Sequence, residues 1–219
     1  MAKFCTSCGT KLVEDATFCT ECGAKVKQPS KEPEESAPVG DAQQPLSALH
    51  QMRLEELVAE GNRHFEQGNY QQTIEAYTQV IQLTPQDASA YVVRCSAHNQ
   101  LGNRQEAIQD ASRAIEINPQ YAEAYLGRGT AYFECEDHQQ ALRDLNRAVE
   151  FDPQNIAGYL LRGMCHYKLG DNQKAQADFT LVMTRSSDPG LTQPAATMLG
   201  LLGVGKGGKR KGLLGKLLG

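Results

Sequence analysis

Four cysteines near the start of the chain are the residues whose type and spacing point most directly to chemistry. The stretch Phe4-Cys5-Thr6-Ser7-Cys8-Gly9 recurs fourteen residues later as Phe18-Cys19-Thr20-Glu21-Cys22-Gly23. Two thiols separated by two residues can grip one ion while the chain turns sharply between them. The glycine that follows takes up a backbone conformation that a Cβ would oppose. Cys5 and Cys8 with Cys19 and Cys22 thus supply four sulfurs, which matches one tetrahedral Zn²⁺ at about 2.3 Å per bond. Four thiolates leave no open coordination position, so the ion would be structural rather than catalytic. A pair of redox disulfides or an iron site is the competing reading of the same spacing. Phe4, Leu12, Phe18 and Val26 are among the few sizeable apolar side chains nearby, so the metal must provide most of the stability of so short a module.

Residues 4–26 resemble the short zinc-ribbon family, whose pattern is Cys-x2-Cys-Gly, a spacer, then Phe-Cys-x2-Cys-Gly. The resemblance implies a small zinc ribbon over residues 1–27. Residues 1–28 carry four lysines against three acids and have no basic aromatic face, which favours a structural or protein-docking module over a nucleic-acid contact.

The remaining candidates for chemistry are weaker. His64, His98 and His166 stand 34 and 68 residues apart, a spacing that invites a metal ladder. Equivalent residues of neighbouring helical repeats lie roughly 10 Å apart or more, however, too far to share Zn–N bonds of about 2.0–2.1 Å, and packing is the better reading. Cys95, Cys135 and Cys165 share no ligand spacing and read as small packing residues. Gly205-Lys206-Gly207-Gly208-Lys209 lacks the spacing of a phosphate loop and any strand before it. With no nucleophile, base and orienter in view, the sequence does not read as an enzyme. Residues 1–8 have no apolar run, and no stretch of about 18 apolar residues occurs. A secretory signal and a membrane-spanning helix are therefore not expected, and a reducing, cytoplasmic setting is.

Behind these residues lies a strongly periodic scaffold. Apolar residues make up 40% of the chain and charged ones 22%, with no Trp, as suits a globular protein. Residues 28–45 carry four prolines, four acids and only Val39 as an apolar side chain larger than Ala, so they read as an extended tether. Pro85, Pro119 and Pro153 then recur every 34 residues, the mark of a helical-hairpin solenoid. Within the region 46–189 the repeats run 54–87, 88–121, 122–155 and 156–189. Their eighth residues are small (Gly61, Cys95, Gly129, Gly163), where the two helices of a hairpin cross closely. Gly68-Asn69, Gly102-Asn103, Glu136-Asp137 and Gly170-Asp171 signal the turns. The fourth repeat has no proline in register, which makes it degenerate.

The region 54–189 closely resembles the tetratricopeptide repeat family. The resemblance implies a mostly α fold in which four repeats stack into a right-handed solenoid and the first helix of each hairpin lines a concave groove. It places in that groove Val58, Asn62, Phe65 and Glu66; Val92, Val93, Ser96 and Asn99; Leu126, Thr130, Phe133 and Glu134; and Leu160, Leu161, Met164 and Tyr167. That surface is apolar and aromatic, and it suits an amphipathic helix or an extended apolar peptide of a protein partner. One subfamily grips the C-terminal carboxylate of heat-shock chaperones with Lys, Asn, Asn, Lys and Arg. Here Asn62 alone matches, with Val58, Val93, Glu123 and Gly127 at the other four places.

Residues 190–203 read as a capping helix opened by Thr192, Gln193 and Pro194, with Ala195, Met198, Leu199 and Leu202 on one face. In residues 190–219 there are five bases and no acid, whereas 51–189 carry twelve bases and nineteen acids. The tail 204–219 joins a Gly/Lys/Arg tether to Leu213-Leu214-Gly215-Lys216-Leu217-Leu218. It suits weak attachment to an anionic membrane or an acidic partner; a plain solvated tail is the alternative. The leading expectation is a non-catalytic adaptor with a structural zinc ribbon. Its rivals are a nucleic-acid-associated regulator using the ribbon or tail, and a peripheral membrane assembly factor held by the tail.

Overall fold

The computed structural model describes residues 48–203. The zinc ribbon with Cys5, Cys8, Cys19 and Cys22, the linker 28–45 and the tail 204–219 lie outside the described residues. Within them the chain forms nine α-helices and no strand: α1 (Ala48–Glu66), α2 (Tyr70–Leu83), α3 (Ala88–Leu101), α4 (Arg104–Ile117), α5 (Ala122–Glu134), α6 (His138–Phe151), α7 (Ile156–Lys168), α8 (Asn172–Arg185) and α9 (Pro189–Leu201).

The first eight helices form four antiparallel hairpins, and each hairpin turns in the same way. Gly68, Gly102, Glu136 and Gly170 take positive φ angles of 76°, 75°, 63° and 82°. The next residue then donates its backbone N–H to a carbonyl five residues back, from Asn69 to His64, Asn103 to His98, Asp137 to Tyr132 and Asp171 to His166, at 2.8–3.0 Å. These bonds satisfy carbonyls that the end of a helix would otherwise leave unpaired. Side-chain caps add to this at α3, where Asp87 accepts from the Ser89 N–H, and at α6, where Asp137 accepts from the Gln140 N–H.

Inside each hairpin, size is traded between the eighth and twenty-fourth repeat positions. A Cβ on Gly61 would lie 2.6 Å from Tyr77, one on Gly129 3.0 Å from Leu145, and one on Gly163 2.8 Å from Phe179. In the second repeat the pair is instead Cys95 with Ala111, both buried. Large meets small in repeats one, three and four, and two small residues meet in repeat two, so each crossing fills its space without forcing the helices apart. Alanines at 0% exposure (Ala90, Ala124, Ala107, Ala141, Ala175) let successive hairpins close on one another. The first helices also touch along the array, α3 with α5, α5 with α7 and α7 with α9.

The last helix begins earlier than the sequence suggests. Thr192, Gln193 and Pro194 do not open it. Asp188 caps it, accepting from the Gly190 N–H at 2.9 Å, and Pro189 takes its first turn, so that Pro194 falls inside the helix. An aspartate followed by proline is a stronger start signal than Thr-Gln-Pro, because it supplies both a side-chain acceptor and a preset φ. Pro189, which the 34-residue frame assigns to repeat four, therefore belongs to α9. Ala195 is buried, and Met198, Leu199 and Leu202 pack on the terminal cluster of Leu160, Ala175, Phe179 and Val182.

Candidate partner-binding groove

The residues assigned to the groove by the repeat frame meet very different fates. Those of the first two repeats come together: Asn62, Phe65 and Glu66 of α1 line a depression of about 260 Å³ with Val92, Val93 and Ser96 of α3. The backs of the two valines and of Val58 pack into the cores below. Their rigid, half-buried stems hold the floor in place. Asn62 accepts a 2.6 Å hydrogen bond from the Tyr77 hydroxyl, which fixes its amide. Ser96 turns its hydroxyl back to the Val92 carbonyl at 3.0 Å.

Further along, the side chains are spent on the fold itself. Asn99 donates to the Gly127 carbonyl at 2.9 Å, and Thr130 to the Leu126 carbonyl at 2.8 Å. Leu126 and Leu161 pack on the cluster of Ala141, Leu145 and Cys165. The Phe133 ring lies 5.2 Å from that of His138. In the fourth repeat, Leu160 is 8% exposed, and Met164 and Tyr167 pack on the cluster that includes Ala195 of α9. The capping helix thus shares these three side chains, and the open part of the groove is its α1–α3 end.

Sequence reasoning passed over the ion pairs that tie the first helix of a hairpin to its second. Arg94, Arg128 and Arg162 sit at the seventh place of repeats two to four, and each donates through two nitrogens to an aspartate on the second helix of its own hairpin. The bonds to Asp110, Asp144 and Asp178 measure 2.6–2.9 Å. A third nitrogen reaches back to the preceding repeat, to Thr78, Ser112 and Asn146. Each guanidinium also stands 5.1–5.8 Å from the ring of Tyr91, Tyr125 or Tyr159. The aspartates are buried, and their hydrogen bonds raise the pKa of all three arginines further. Charges fixed this way are not available to a carboxylate ligand. The signal was present in the sequence as three Arg and three Asp, each set at intervals of 34 and sixteen residues apart.

The other titratable groups do not assemble into a site. Burial pushes the Cys95 and Cys165 thiols up to about 12, which makes them inert. His98 and His166 are pushed down by burial. His64, His98 and His166 lie near Glu60, Asp110 and Asp171, at 3.8, 3.9 and 3.9 Å. Among the described residues no three His, Cys, Asp or Glu side chains gather as metal ligands. No helix among them is long and apolar enough to cross a membrane.

Comparison with known proteins agrees with this architecture. Family models match a zinc-ribbon domain at residues 4–26 and tetratricopeptide repeats at 58–122, 122–155 and 156–189. No curated protein matches the sequence. Among solved structures, a thermophilic tetratricopeptide repeat protein of Thermus thermophilus, TTC0263, is 20% identical with a TM-score of 0.61. That match covers 71% of this chain and 84% of that one. MamA is 23% identical with a TM-score of 0.54, covering 68% and 79%. The first repeat domain of Spaghetti (RPAP3), bound to the HSP90 peptide SRMEEVD, is 28% identical with a TM-score of 0.52, covering 54% and 94%.

Proposed function

Because this chain belongs to the tetratricopeptide repeat family and carries an N-terminal zinc-ribbon domain, we propose that it is a non-catalytic adaptor whose groove holds a segment of a protein partner. The depression formed by Asn62, Phe65, Glu66, Val92, Val93 and Ser96 carries this reading. It is a preformed, largely apolar recess between neighbouring first helices, of the kind that receives the apolar face of a peptide. The similar Spaghetti domain is bound to an acidic chaperone peptide. Here Val58, Val93, Glu123 and Gly127 stand where the chaperone-binding subfamily has cations and an amide, and Arg94, Arg128 and Arg162 are already paired with aspartates. An acidic tail therefore suits this groove poorly, and an apolar segment suits it well.

The zinc ribbon completes the reading as a structural module. Cys5, Cys8, Cys19 and Cys22 would hold a single Zn²⁺, a donor set of four soft thiolates that fits the ion without leaving it a reactive position. A cytoplasmic, reducing location belongs to this proposal.

Affinity purification from cells with wild-type protein and with Phe65→Ala and Ser96→Lys variants tests the groove. Partners recovered with wild type should fall by about tenfold with each variant while the helical content is unchanged. If the same partners are recovered undiminished with both, the α1–α3 depression is not the binding surface. Metal analysis of natively purified protein should give about one zinc per chain, and less than about half an equivalent overturns the four-thiolate site.

A further inference from the structure

The groove that lacks available cations belongs to a chain whose own tail is cationic and apolar. We infer that Leu213–Leu218 of the same chain occupies the α1–α3 depression and that a partner must displace it. This rests on the groove reading above and adds its first occupant.

Charge and chemistry make the match. Glu66 stands on the rim of the depression, and the repeats carry nineteen acids against twelve bases. Three of those bases, Arg94, Arg128 and Arg162, are bound by buried aspartates. The tail carries Lys206, Lys209, Arg210, Lys211 and Lys216 without an acid, and it offers Leu213, Leu214, Leu217 and Leu218 in two pairs. Leucines suit the valine floor, and Lys216 suits the Glu66 rim. The acidic partner that such a tail calls for is thus present in its own chain.

Reach permits the contact. From α9 the row of first helices leads through α7 and α5 to α3. At about 8–10 Å per helix spacing, the depression lies on the order of 30 Å from the end of α9. An extended chain covers at most about 3.3–3.6 Å per residue. The residues from 204 to 213 therefore span up to about 35 Å, enough to set the leucines on α3. Because the segment is tethered, its contact with the depression is intramolecular and independent of protein concentration. External ligand then binds with an affinity reduced by the fraction of grooves left open.

The test uses the full chain with a benzophenone amino acid in place of Leu217, irradiated at low protein concentration and mapped by mass spectrometry. The expected result is an adduct within one chain that joins the tail to peptides containing Asn62–Glu66 and Val92–Ser96. Its yield should fall about fivefold with Glu66→Lys. Adducts elsewhere, adducts only between chains, adducts only with anionic vesicles, or a yield indifferent to Glu66→Lys overturn the inference. The two readings fail separately. Loss of partner with Phe65→Ala but no tail adduct keeps the groove and removes the tail. A tail adduct on the groove with partner capture untouched does the reverse.

Discussion

Repeat one differs from repeats two to four in a way that shows what the charged residues of the array are for. Arg94, Arg128 and Arg162 each grip an aspartate in their own hairpin and touch the repeat before them. At the equivalent places repeat one has Glu60 and the buried Ala76. The first repeat has no repeat before it, so an arginine there would find no counterpart of Thr78, Ser112 or Asn146 to reach back to. The charge pair is made within a hairpin, and its arginine carries one further bond across to the hairpin before it. It resembles a rivet, present only where two plates overlap. In its place the first hairpin is tied by the Tyr77 hydroxyl, which donates to Asn62 on the groove floor, so the end without rivets is also the end with the open recess.

The sharpest way to break this comparison is to remove one partner of a central pair. Asp144 is 7% exposed and accepts two bonds from Arg128. Its loss strands a half-buried guanidinium between two repeats. Asp144→Ala should cost about 3 kcal/mol in urea denaturation, whereas Glu60→Ala, at an exposed place with a distant histidine contact, should stay within about 0.5 kcal/mol. Equal costs for the two substitutions would mean that the pairs do not clamp the interfaces.

How far the sequence foretells this molecule depends on which interaction a residue serves. The hairpins were legible because Pro85, Pro119 and Pro153 and the small eighth residues repeat in register, and periodicity is a local signal. The turn at Gly68, Gly102 and Gly170 was legible for the same reason. The arginine–aspartate pairs were equally periodic but lie outside the apolar positions that a helix-packing reading follows. The partial burial of Leu160, Met164 and Tyr167 was not legible, because it depends on where α9 docks and no repeat rule governs a helix after the last repeat. The start of α9 was readable in Asp188-Pro189, yet the 34-residue frame claimed that proline for repeat four. The floor of the depression was legible as positions, but not its restriction to the α1–α3 end, which arises from contacts made by Asn99, Thr130 and Phe133.

A second comparison sets the turn of repeat three beside the other three. Glu136 holds a φ of 63° where its counterparts are glycine, and its Cβ opposes that conformation by about 1–2 kcal/mol. Glycine removes the strain but loses more entropy on folding. Glu136→Gly should therefore stabilise the protein by about 0.5–1 kcal/mol, seen as a rise in the urea midpoint with an unchanged slope. Gly102→Glu, the reciprocal change, should lower it by a similar amount. If neither substitution moves the midpoint, the left-handed turn carries no strain in repeat three.

The smallest effect distinguishes repeats two and four from repeat three through a residue in the last turn of the first helix of each hairpin. His98 and His166 stand where repeat three has Tyr132. Burial lowers both imidazole pKa values below the ordinary 6.5, against the opposing pull of Asp110 and of Asp178 and Asp171. The unfolded chain then binds protons more readily than the folded one, so stability must fall as the pH drops through about 6.5 towards the folded pKa. Asp171, lowered by its hydrogen bond to Lys174, adds its own loss only near and below its ordinary 3.8. It leaves the window from about pH 7 to 5 to the histidines. Replacing both (His98→Tyr with His166→Tyr) copies the third repeat into its neighbours and should flatten the stability profile across that window. The comparison is between two slopes rather than two stabilities, so a general cost of fitting the larger ring does not confound it. A profile as steep in the double variant as in wild type would show that the proton is taken up elsewhere and that the two imidazoles are only packing.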